Sequence, residues 1–138
     1  MVTFSVKNGQ AVKADEQNAS LGEMIFDLLH SATVTHIMHL QTESFAEHMA
    51  LGEYYDAIPD LADALIEAWQ GKNQKILRGY GACKESYEGV KPLEYLQILR
   101  DEFEVCRPYI GEDSELQNLA DTIADQLDST MYKLRFLK

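Results

Sequence analysis

Apolar residues recur at three- and four-residue intervals through most of this chain, and that period constrains the fold more than any other feature. Leu21, Met24, Ile25, Leu28, Leu29 and Ala32 make one stripe, and Ile58, Ala62, Leu65, Ile66 and Trp69 a second. Leu93, Leu96, Leu99, Phe103 and Cys106 follow, then Leu116, Leu119, Ile123, Leu127, Met131 and Leu134. Each stripe is the buried face of an α-helix. Four of them in 138 residues predict an all-α, single-domain four-helix bundle with one core.

Local chemistry places the boundaries. Ser20 with Glu23 fits a capping box and predicts a first helix from about Leu21 to about Leu40. Ser44 with Glu47 predicts the start of the second near Phe45, so "QTE" at 41–43 is a short turn and this helix continues to about Gln70. Pro59 lies inside it, lacks an amide donor and crowds the carbonyl of Tyr55, which predicts a kink or a break. From Gly71 to Lys91 the period lapses, glycines appear, and Lys72, Lys75 and Arg78 form a basic cluster. Pro92 suits the first position of a third helix, Pro108 stops it, and "GEDSELQ" supplies turn and cap for the fourth. Tight turns on either side of one long connection predict a crossover, with helices two and three parallel. Ahead of the bundle, "TFSVKNGQAVKA" alternates around Asn8-Gly9 and predicts a β-hairpin or extended arm over residues 2–14.

The charge narrows the partners. With 23 acidic and 12 basic residues the net charge is -11, so the surface attracts cations and disfavours nucleic acid. Cys83 and Cys106 match neither a disulfide framework nor a zinc knuckle and read as reduced thiols. No apolar run is long enough to span a bilayer and no secretion signal opens the chain, which predicts a cytoplasmic protein without a membrane partner.

The chain has only four histidines, and three of them lie within residues 36–48. His36 precedes the 41–43 turn and His48 follows it, each by about one and a half turns of helix, so both imidazoles can reach one level of the bundle and share a metal. His39, one turn from His36, either joins them or only neighbours them, and His30 reads as structural. Asp63 and Glu67, four residues apart, project from one face of helix two. From His48 to Asp63 is ~22 Å of helix, beyond the reach of two side chains to one ion. Two copies pairing helix two antiparallel about a dyad would set the histidine end of one beside the carboxylate end of the other. The alternative for the same residues is a solvated helix face with surface histidines.

The spacing of His36, His48 twelve positions later, Asp63 fifteen after that and Glu67 four further on resembles the ferroxidase signature of the Dps family, the ferritin-like DNA-binding proteins from starved cells. "FAEH", the aromatic Tyr55, "DALIEA" and "STMYKLRFL" resemble the same family, and the similarity covers about residues 20–137. The resemblance implies a ferritin-like fold and a homo-oligomer that dimerises through helix two and, as in that family, builds a dodecameric cage. It implies ferrous iron bound between subunits by His36 and His48 of one and Asp63 and Glu67 of its mate, with zinc as a substitute ion. Oxidation there, often by peroxide, would serve iron storage and detoxification. Gly52 stands where the family commonly has a further acidic ligand, Ile37 where it often has tryptophan, and residues 1–17 carry only Lys7 and Lys13 in place of a lysine-rich DNA-binding tail. Two functions therefore stay open: a ferroxidase, or a non-catalytic structural or interaction protein, such as a phage-borne homologue, on a bundle with a degenerate metal site.

Overall fold

The reversal expected at 41–43 organises the molecule. The computed structural model describes residues 9–81 and 87–138, with side chains from residue 21 onward. Its elements are α1 (Gly9–Gln41), α2 (Phe45–Asn73), α3 (Pro92–Cys106), a 3-10 turn (Arg107–Ile110) and α4 (Ser114–Phe136), with no strand among the described residues. Part of the hairpin or arm expected over 2–14 lies outside the described residues, and from Gly9 the backbone is helical. Consequently Ser20 is inside α1 and does not cap it. Residues 10–20 hold no proline and no further glycine, so nothing in them opposes extending the helix.

The other boundaries follow local chemistry. Ser44 is extended and its hydroxyl accepts from the Glu47 amide at 3.2 Å, as an N-cap does. The reciprocal half of the capping box is replaced, because the Ser44 amide goes to the Thr42 hydroxyl at 3.1 Å. α2 passes through Pro59 as one helix, so the break does not occur. The lost amide bond is outweighed by packing, since Ile58 and Ala62 on either side are wholly buried. α2 also runs past Gln70 to Asn73, where Gln74 adopts a left-handed conformation (φ 54°) and the Gln70 side chain accepts from the Leu77 amide at 2.8 Å. Pro92 opens α3, and Pro108 falls in the 3-10 turn that ends it.

Contacts between helices give their directions. Ser31 meets Tyr54 and His39 meets His48, so α1 and α2 are antiparallel. Lys133 pairs with Glu53 while Lys72 pairs with Asp113, so α4 is antiparallel to α2. Arg100 bonds Asp128 and Arg107 pairs with Asp121, so α3 is antiparallel to α4. Therefore α2 and α3 are parallel, and the segment from Gln74 to Lys91 is the long crossover of a four-helix bundle.

That crossover touches α1 at one tight point. A Cβ built on Gly22 would lie 1.6 Å from the Gly79 carbonyl oxygen, so only glycine lets the two backbones approach this closely. Inside, Trp69, Tyr54, Phe103 and the leucine and isoleucine stripes fill the core. Tyr54 is its main polar member: the hydroxyls of Tyr54 and Ser31 share a 2.8 Å hydrogen bond, and Ser31 donates to the Leu28 carbonyl at 2.6 Å. Burial pushes the Tyr54 phenol far above its ordinary value, partly offset by the Ser31 bond.

Gly22→Ala should lower stability by roughly 2–3 kcal/mol in thermal unfolding. Gly71→Ala, where nothing stands within 4 Å of the new Cβ, should raise it by about 0.5–1 kcal/mol. For Tyr54, the unfolded phenol releases its proton near pH ~10 while the folded one retains it, so its stabilisation is complete below that value and declines as pH rises. Urea stability should therefore fall above about pH 10, and Tyr54→Phe should flatten that fall.

Candidate metal centre

A helix leaves its last carbonyls without intrahelical partners, and at the end of α1 a backbone amide and a side chain supply two of them. The Met38 carbonyl takes the Thr42 amide at 3.0 Å. The His39 carbonyl takes Nδ1 of His48 at 2.9 Å, and the His48 carbonyl takes Nδ1 of His39 at 2.7 Å. The two half-buried rings stack with centroids 3.6 Å apart and planes 18° from parallel. A carbonyl only accepts, so both Nδ1 atoms carry the proton, and in the neutral rings Nε2 is the lone-pair nitrogen. This is the arrangement in which a histidine offers Nε2 to a metal.

The cluster extends outward from this clamp. His36 stacks on Tyr55 at 4.0 Å and stands edge-on to His39 at 5.9 Å, while Tyr55 also meets the His39 ring edge at 5.2 Å. Gly52 lies one turn beyond His48, and a Cβ there would sit 3.3 Å from Cε1 of His39. The glycine makes the notch in α2 against which that ring rests. Its place in a helix interior is thus explained by packing, at a propensity cost of about 1 kcal/mol relative to alanine.

Of the residues expected to hold metal, His36 and His48 join one cluster, but through His39, which stands between them. Asp63 and Glu67 are exposed farther along α2 and are not brought to the histidines within one chain. No group of three or more His, Cys, Asp or Glu among the described residues could hold a metal ion. At ~1.5 Å per residue the length of α2 keeps Asp63 and Glu67 away from the histidines of the same chain. With 3.6 residues per turn, exposed Phe45, Met49, Asp56, Asp60, Asp63 and Glu67 fall in one stripe about 60° wide, apolar near the histidines and acidic beyond. Phe45 is 78% exposed and Leu40, across the turn, 67%.

His39 was the residue that spacing alone left undecided. Its sequence signal was Gly52, a glycine inside a helical pattern one turn after a histidine, which marks close approach of something to the backbone. His30 packs between Phe26 (5.8 Å) and Tyr87 (5.6 Å), in keeping with a structural role. Cys83 lies outside the described residues. Cys106 is a free thiol, pushed up by burial and by the nearby Glu102, Glu23 and Asp27.

A family model described as a family of unknown function (DUF5856) matches residues 39–134, more than half of the chain. The chain belongs to that family. The matched span opens at His39 and includes His48, Gly52, Asp63 and Glu67. No curated protein and no solved structure matches the chain. No helix among the described residues is long and apolar enough to cross a membrane.

If the His39 ring is what requires a glycine at 52, the two positions are energetically coupled. Gly52→Ala should yield the full propensity gain of about 1 kcal/mol only when His39 is also alanine, and clearly less in the wild-type background. Urea unfolding of the four proteins in that cycle measures the difference.

Proposed function

We propose that this chain is a ferritin-like protein of the Dps type that takes up ferrous iron between two antiparallel copies and oxidises it. Iron is the substrate here, and a ferritin-like assembly of such dimers is its vessel. The observation that carries the reading is the outer stripe of α2, which bears exposed apolar residues beside the histidines and Asp63 and Glu67 at its far end. The pairing register that sets His48 level with the span between Asp63 and Glu67 of a neighbour also sets exposed Met49 level with exposed Ala64, a large side chain against a small one. The same bundle order, with parallel α2 and α3 joined by a crossover, supports the ferritin-like assignment.

In this reading His36 and His48 of one copy hold the ferrous ion, and Asp63 and Glu67 of the other stabilise the ferric product, because hard carboxylates favour the higher charge. Two ferrous ions each give one electron to a peroxide, its O–O bond breaks, and two protons taken up from the medium turn both oxygens into water, leaving two ferric ions. The acidic surface concentrates the cation around the assembly. Zinc, with its preference for nitrogen and oxygen donors, would compete for the same site.

A second reading is favoured by one specific observation. Both Nδ1 atoms of His39 and His48 are spent on backbone carbonyls, so the histidines already have a structural task in locking the hairpin. On that account the bundle is an interaction protein without oxidase chemistry.

Ferric absorbance after adding ferrous iron and peroxide, together with the solution mass, separates the two. The first reading expects an assembly larger than a monomer and an absorbance rise that His48→Ala and Asp63→Asn each slow by at least about tenfold. A monomer with no rise would leave the second.

A further inference from the structure

We infer that His39, seated in the notch left by Gly52, is a positioning residue that aims the Nε2 nitrogen of His48 at the metal. The inference rests on the metal-binding reading above, and it concerns a side chain that the spacing of candidate ligands does not include. Three distances make the argument. Nδ1 of His48 is pinned to the His39 carbonyl at 2.9 Å, Nδ1 of His39 is pinned to the His48 carbonyl at 2.7 Å, and the ring faces lie 3.6 Å apart. The first contact sets the tautomer of His48, leaving Nε2 as its donor atom. The other two set its direction, since the His39 ring lies flat against the imidazole and is itself tied to the backbone that carries it.

Gly52 is part of the device. A side chain there would press on Cε1 of His39 from 3.3 Å, so the glycine keeps His39 close to α2 where it can cover His48. Tyr55 closes the far side, meeting His39 by its edge and His36 by its face. A ligand held in one tautomer and one direction before the ion arrives loses less freedom on binding, and second-shell groups of this kind are worth about 10–100-fold in metal affinity.

The test has a metal-free arm and a metal arm. Long-range proton–nitrogen NMR of the histidines, near pH ~8 where free imidazoles are neutral, reads the tautomer directly. In the wild type His48 should be protonated at Nδ1; His39→Ala keeps the residue-39 carbonyl but removes the ring that covers His48, so the imidazole should swing off that carbonyl part of the time and a second tautomer should appear. Cobalt(II) titration, followed by its visible absorption, should then show affinity falling at least about tenfold in His39→Ala. His39→Asn restores a donor near the Nδ1 position without the ring, His39→Phe restores the ring without the donor, and each should recover part of the affinity. An unchanged tautomer together with unchanged cobalt affinity in His39→Ala would overturn the inference. Wild-type protein that holds its tautomer yet binds no cobalt would overturn the metal reading, and with it the positioning role, leaving the clamp as a fastening of the turn.

Discussion

The register between α1 and α2 is the constraint from which the rest of the molecule follows. Three residues, 42–44, join these helices, and the turn is fastened on both sides by the reciprocal bonds of His39 and His48. Each bond satisfies a backbone carbonyl and each ring shields the other, so a slip of the helices by one residue would break both contacts at once. Farther down, the Ser31–Tyr54 bond lies in the same register within the core. No buried side-chain nitrogen or oxygen among the described residues lacks a hydrogen-bond partner. A buried polar pair is costly when mispaired, so these contacts select one alignment as well as stabilise it.

From that alignment the bundle assembles outward. α4 returns along α2, tied at its ends by Lys133 with Glu53 and by Asp113 with Lys72, and α3 is held to α4 by Arg100 and Arg107. Those pairs are partly exposed and each contributes little energy, roughly 0–1 kcal/mol. Apolar burial contributes far more, about 1.5–3 kcal/mol for each large side chain removed from water. The pairs mark register; the stripes provide the stability. The outer side of α1 and α2 is left with Leu40, Phe45 and Met49 exposed, next to imidazoles and in line with carboxylates, and that combination is why the proposed chemistry belongs between copies.

Much of the fold was legible because its determinants are local. Ser44 caps α2, Pro92 opens α3 and Pro108 ends it through side-chain and ring geometry that acts within a few residues. What local reasoning missed depended on distant partners. Ser20 looks like a cap only if the helix begins there, and Pro59 looks like a break only until the burial of Ile58 and Ala62 is known. Gly22 carries no local mark of the Gly79 carbonyl that requires it, because that carbonyl comes from a segment 57 residues further on. At the site, the spacing of His36 and His48 identified the right region. It could not show that His39 stands between them, since a side chain's direction across a turn depends on the facing helix, here on the space above Gly52.

The central claim is that nitrogen donors of one copy meet oxygen donors of another, and locating a bound metal atom tests it most directly. Anomalous diffraction from crystals soaked in zinc or iron should place the ion between His36 and His48 of one chain and Asp63 and Glu67 of a dyad-related neighbour. An ion found elsewhere, or copies that pair without bringing those ends of α2 together, would contradict the account.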